Sequence, residues 1–152
     1  MNVMHFLAWL VAGLLLAAPL LLYARHKSAD DSQLIFGRGL VVASAIYVGF
    51  ALIEARTAWV VIEFAGVIIF TAFYLLASKS SMNWLIAGWL THPAWDGLVH
   101  LVGPGATVAP SWYAIACISF DWAIAIFLLS GLRTVHCSVL PNTPEAANRF
   151  RK

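Results

Sequence analysis

Three ionisable residues, His92, Asp96 and His100, stand at i, i+4 and i+8 within a strongly apolar stretch. On a helix each four-residue step drifts by only ~40°, so the three share one face. Cys117 and Asp121 repeat the four-residue step further along, and Glu63 stands in an earlier apolar run. An imidazole beside carboxylates from neighbouring helices suits two kinds of chemistry. One is ligation of a divalent metal such as zinc, which takes nitrogen and oxygen donors. The other is acid/base catalysis by a His–carboxylate pair. His92 and His100 are ~12 Å apart along a straight helix, so they do not ligate one ion together, and Asp96 can pair with either. The candidate catalytic residues are Asp96, Asp121, His92, His100 and Glu63, and the same five are the candidate metal ligands, not all at once. A third use is purely structural: buried polar side chains often tie membrane helices together.

What must position these groups follows from composition. Of 152 residues, 62% are hydrophobic and 11% charged, and the mean hydropathy is +0.85. A soluble domain carries about 25% charged residues. So few polar groups cannot cover a soluble surface, which excludes a soluble globular domain, a disordered chain and a secreted disulfide scaffold. The formal charge of +2 does not indicate a nucleic-acid partner, because Lys and Arg sit at the ends of apolar runs and in the tail. The partner to expect is the lipid bilayer.

Five apolar stretches are long enough to cross ~30 Å of hydrocarbon at 1.5 Å per residue. They lie at about 5–24, 34–54, 59–78, 82–102 and 112–132. The expected fold is an all-α integral membrane bundle of five transmembrane helices forming one domain, 1–135. A short polar cytoplasmic tail, 136–152, follows, in which Thr143-Pro144-Glu145 has the residues to start a short helix. The linker 28–32 and the Gly- and Pro-bearing segment 103–111 read as loops. The first stretch reads as a span rather than a signal peptide, because its charges follow the apolar run instead of preceding it. With the N-terminus outside, Arg25, Lys27, Arg38, Lys79, Arg133, Arg149, Arg151 and Lys152 fall on the cytoplasmic side, and only Arg56 falls outside. That asymmetry sets the orientation as N-terminus out, C-terminus in.

Helical rise then gives depth. His100 lies ~3 Å, Asp96 ~9 Å and His92 ~15 Å below the outer end of the fourth span. Asp121 lies ~14 Å and Cys117 ~8 Å below the outer end of the fifth, and Glu63 ~6–8 Å below that of the third. Each intramembrane ionisable group costs roughly 2.5–3.5 kcal/mol on insertion scales. Their gathering in one half points to a single polar cavity. Three carboxylates there cannot all ionise unopposed: either a cation compensates or at least one acid stays protonated. With two imidazoles on the face of Asp96 and no Lys or Arg at that depth, compensation by protonated histidine or a metal ion is expected.

Several residues carry weaker signals. Pro93 removes one helical hydrogen bond, so the fourth span either kinks near Trp89–His92 or breaks, with Thr91 or His92 capping a half-helix that starts at Pro93. Gly66, Gly88 and Gly97 allow close helix approach. Cys117 reads as small core filler, Cys137 is too distant in depth to pair with it, and Glu54 and His5 read as interfacial residues. Trp9, Trp59, Trp84 and Trp112 read as interfacial belts.

The run Gly88-Trp89-Leu90-Thr91-His92-Pro93-Ala94-Trp95-Asp96, with His100 after it, resembles the pattern G-W-L-x-H-x-x-W-D-x-x-x-H of a family of small bacterial membrane proteins known as domain of unknown function family 6010. Pro110, then Cys117 and Asp121 four residues apart, and Glu63 in an earlier span, extend the likeness over about 41–130. The resemblance implies a multi-span protein of the bacterial inner membrane, gives no reaction, and favours the same five polar residues. By site chemistry alone, membrane hydrolases of the ceramidase and adiponectin-receptor type and sterol-isomerase-like proteins are analogous, but neither matches in sequence. The reading is a small membrane enzyme acting on a lipid or other apolar substrate. A non-catalytic subunit or binding protein and a small transporter or ion path are the alternatives.

Overall fold

The computed structural model describes the backbone of residues 2–139 and the side chains as far as residue 131. Five helices cross the molecule: α1 (Val3–Ala24), α2 (Ala29–Ile53), α3 (Thr57–Lys79), α4 (Met82–Trp95) and α5 (Ser111–Val139). Between α4 and α5 come a π-helical segment, Asp96–Leu101, and a short 3-10 helix, Pro104–Thr107. There is no strand among the described residues. Four helices, α1, α2, α3 and the Ser111–Gly131 portion of α5, are long and apolar enough to cross a membrane. The fifth crossing is composite: α4 contributes 14 residues and the π segment adds 6 without a break.

Local chemistry sets the helix starts. Asn2 accepts a hydrogen bond from the His5 N–H at 2.9 Å, Ser28 from Asp31 N–H at 3.1 Å and Ser81 from Asn83 N–H at 3.2 Å. Segment 28–32 is therefore a helix start rather than a linker. Ser28 caps α2, and Asp30 and Asp31 sit in its first turn, where the helix dipole favours negative charge. At the other end of the chain α5 runs on to Val139, so residues 136–139 of the expected tail are helical. The expected helix start at Thr143 and the side chain of Cys137 lie outside the described residues.

Sequence neighbours are not always packing partners. α1 packs along α5, α2 along α3, and α4 lies between α3 and α5 with a further contact to α2, whereas α1 and α2 scarcely meet. The α1–α5 seam is close because Gly13 faces the Ala116 carbonyl, and Ser119 Oγ donates to Leu10 O at 2.7 Å. The main core is built around Trp89, whose indole N–H donates to Phe36 O at 3.2 Å, with Leu40, Leu85 and Ile124 beside it. Outward faces carry large exposed aliphatic side chains along every long helix, as lipid contact requires. The α2–α3 turn and the 3-10 helix share one end of the bundle, joined by Arg56 Nη1 donating to Thr107 Oγ1 at 2.9 Å.

Candidate functional site

Pro93 does not break the fourth crossing. It lies inside α4, and the Asp96 N–H reaches back to both His92 O and Pro93 O. Thr91 does not cap a new helix; its hydroxyl donates to Ala87 O at 2.8 Å and Gly88 O at 3.2 Å. No half-helix N-terminus faces the interior. The chain absorbs the proline by widening its next turn, and the π segment begins at Asp96 itself. The extra residue in such a turn resets the facing of His100 relative to Asp96.

This local geometry divides the polar residues into two units. In the first, His92 Nδ1 lies 2.8 Å from Asp121 Oδ2 on α5 and 3.5 Å from Asp96 Oδ2. The donor atoms of His92, Asp96 and Asp121 all fall within 4.8 Å of one another. In the second, His100 Nε2 lies 3.4 Å from Glu63 Oε1 on α3, and His100 Nδ1 lies 3.4 Å from Gly105 O in the 3-10 helix. Asp96 thus stands with His92 and not with His100. All five expected site residues are buried, with 0–1% exposure, and face the bundle interior. They are on α3, α4, the π segment and α5, all in the half of the bundle nearer the 103–110 loop.

Two tyrosines escaped the sequence reading. Tyr47 on α2 stacks on His100 at 4.2 Å between ring centroids and lies 6.2 Å from the His92 ring, so it bridges the two units. Its hydroxyl is beside Asp96 without reaching hydrogen-bond geometry. Tyr113 packs edge-on to Tyr47 at 5.4 Å, and its hydroxyl adjoins the Cys117 thiol. The signal was present in α2, where Leu40, Ser44, Tyr47 and Ala51 recur at steps of three and four and form one buried face.

The other expectations divide. Cys117 is buried, Glu54 and His5 are exposed at helix ends, and Gly66 and Gly88 are pressed against Trp95 and Leu40 respectively. Gly97 is not a point of close approach, because nothing lies within 4 Å of where its Cβ would be. Trp122, next to Asp121, is 52% exposed and points away from the site.

Beside the first unit lies an apolar cavity of about 470 Å³ between α1, α2 and α5. Leu16, Leu20, Val42 and Ile46 line its sides, while Trp89, Tyr113, Cys117 and Asp121 stand at its inner wall. Because α1 and α2 scarcely touch, this cavity flanks the polar centre on the side where two neighbouring helices diverge.

Among the described residues, seven buried side-chain atoms have no hydrogen-bond partner: Tyr47 Oη, Glu63 Oε1, His92 Nε2, Asp96 Oδ1 and Oδ2, His100 Nε2 and Asp121 Oδ1. Glu63 and His100 are within ion-pair range but not aligned for a hydrogen bond. Unmatched buried groups cost roughly 1–3 kcal/mol each.

A family model described as a family of unknown function, DUF6010, matches residues 4–134. The chain belongs to that family. No curated protein and no solved structure matches it. The DUF6010 match begins at residue 4 rather than near 41, so it takes in α1, which supplies one wall of the cavity. The resemblance missed this because α1 carries almost no distinctive polar residue, only an apolar run.

Proposed function

We propose that this DUF6010 protein is a small membrane enzyme acting on a lipid or other apolar substrate, with its reacting centre at His92, Asp96 and Asp121. The observation that carries the reading is the concentration of unpartnered buried polar atoms at a His/Asp centre that shares Asp121 with an apolar cavity. A network kept only to hold helices together gains by satisfying its members, and a half-satisfied one is worse than an apolar core. Atoms left open and aimed inward are the arrangement a reacting group needs. The neighbouring cavity has the character of a ligand pocket: apolar walls with a few convergent polar groups.

Within this centre the roles follow from position. With no metal bound, Asp121 fixes the His92 ring through Nδ1, the contact that orients an imidazole in catalytic His–Asp pairs. Asp96, with both oxygens free, is the group able to take or give a proton or to hold a cation. The Glu63–His100 pair and Tyr47 support it from the side of the 103–110 loop. The cavity admits the apolar part of the substrate from the bilayer, so that the polar part meets Asp121 and its neighbours.

The test is turnover. The purified protein, reconstituted in nanodiscs with a total membrane lipid extract, is incubated and its lipids are compared by mass spectrometry with those from the Asp121→Asn variant. Wild-type conversion of a lipid class that the folded variant fails to convert supports the reading. An unchanged lipid profile with wild-type protein, together with a sharp loss of stability in the variant, favours a structural polar cluster instead.

A further inference from the structure

We infer that His92, Asp96 and Asp121 hold a single divalent first-row metal ion, ligated through His92 Nδ1 and one carboxylate oxygen from each aspartate. This goes beyond the proposed enzyme reading, which an acid/base centre without metal would equally satisfy.

The geometry argues first. One nitrogen, His92 Nδ1, faces two carboxylates at once, 2.8 Å from Asp121 Oδ2 and 3.5 Å from Asp96 Oδ2. A single N–H can be donated well to only one of them, and Asp96 accordingly keeps both oxygens unpartnered. A cation in the proton's place can serve all three donors. Ligand atoms ~2.0–2.1 Å from a tetrahedral ion stand about 3.3 Å from one another. The two observed separations bracket that value, and the whole donor set spans no more than 4.8 Å.

Charge argues next. The buried carboxylates and imidazoles are Glu63, Asp96, Asp121, His92 and His100, with no buried Lys or Arg among the described residues. An ion of charge +2 offsets Asp96 and Asp121 with His92 neutral, while Glu63 stands apart from them, 3.4 Å from His100. The three-residue unit is then neutral by itself, which a low-dielectric interior strongly favours. The donor types narrow the metal: imidazole suits zinc, iron and nickel, carboxylates suit manganese and magnesium, and the mixed set fits zinc or manganese best. Three protein ligands leave a coordination position open, the arrangement of catalytic rather than structural zinc.

The test uses the full chain in detergent, loaded with Zn²⁺ or Mn²⁺, desalted, and analysed for metal by mass spectrometry alongside thermal unfolding with and without EDTA. The expected result is about one ion per wild-type chain. At a free-metal concentration of 100 Kd, the unfolding equilibrium should shift roughly a hundredfold toward the fold, reversed by chelator. Asp96→Asn and Asp121→Asn should each weaken metal binding by at least ~10–100-fold, while Glu54→Gln, at an exposed helix end, keeps full occupancy. A wild-type chain that binds neither ion and unfolds identically with and without EDTA overturns the inference, as do aspartate variants that keep wild-type occupancy. Should the variants fail to fold, the wild-type chelator comparison decides. Lipid turnover by a chain that binds neither ion overturns this site and leaves the enzyme reading intact, whereas metal bound without turnover does the reverse.

Discussion

Helix α1 and the α4–π crossing are nearly equal in length, yet they do opposite work. α1 is 22 residues long and buries only Gly13, Ala17 and Ala24, all small. The α4–π crossing buries Trp89, His92, Asp96 and His100 within 20 residues. α1 leans mainly on α5 and turns its large side chains outward, whereas the crossing that carries His92, Asp96 and His100 is enclosed by α2, α3 and α5. A charged group at the membrane centre is tolerable only where protein, not lipid, surrounds it. The polar residues therefore sit on the enclosed faces of α3, the α4–π crossing and α5. The least enclosed helix, α1, was left free to wall an apolar cavity with α2 and α5. The division puts an apolar cavity on one side of Asp121 and a buried polar centre on the other.

The largest effect that would break this contrast concerns Asp96. It takes no hydrogen bond on either oxygen, so its burial works against the fold. Asp96→Asn should lower lipid turnover at least ~100-fold, the scale of removing a general acid or base. Its thermal stability in detergent, without added metal, should be unchanged or raised by ~1 kcal/mol or more, as happens when a site is held at the expense of stability. A variant that keeps its turnover while losing several kcal/mol of stability would reassign Asp96 to helix packing.

The contrast was partly legible in advance. Apolar length and charge placement are enough to give five crossings, because the bilayer imposes one span length on all of them. The i, i+4, i+8 spacing marked the buried face, and His92, Asp96 and His100 are all enclosed. What spacing could not give is partnership between helices: Asp121 with His92, and Glu63 with His100, depend on how α5 and α3 rotate about their axes. The π turn was also out of reach. Pro93 announces a disturbed helix, but whether the chain kinks, breaks or widens is decided by the packing around it. Tyr47 was passed over because a tyrosine in a span ordinarily belongs to the interface, and only the small and polar residues on its face of α2 set it apart.

A smaller effect should separate the two sides of the cavity. At Gly13 a Cβ would run into the Ala116 carbonyl and Ser119 Oγ. Backbone on the far side cannot give way as a flexible side chain does. Gly13→Val should therefore pry α1 from α5 and cost ~1–3 kcal/mol, the usual range for overpacking. The measurement is unfolding in detergent. Turnover should fall along with stability, since α1 is a wall of the cavity. Ala43→Phe, which fills the cavity from α2, should instead lower turnover about tenfold with stability held within ~1 kcal/mol. If Ala43→Phe leaves turnover untouched, the cavity is not the route to Asp121.

The smallest effect tests whether the π segment needs its glycine. Gly97 lies between Asp96 and His100, where a flexible residue would be the simple explanation for an irregular turn. The structure argues otherwise. No glycine in the described chain has a positive φ, and a Cβ at 97 would meet nothing within 4 Å. Gly97 accepts the closing hydrogen bond of the segment from Val102 N–H at 3.1 Å through its backbone oxygen, which alanine also has. The wide turn is thus held by what surrounds it: the proline before it, His92 and Asp121 on one side of Asp96, and Tyr47 and Glu63 around His100. Gly97→Ala should then raise stability by roughly 0.4–1 kcal/mol, because alanine has fewer unfolded conformations to lose. The gain should fall toward the low end, since membrane helices persist in the separated state. Turnover and metal content should stay within about twofold of wild type, because no side chain of the centre has to move. A tenfold loss of either would show that the glycine itself sets the turn on which the site depends.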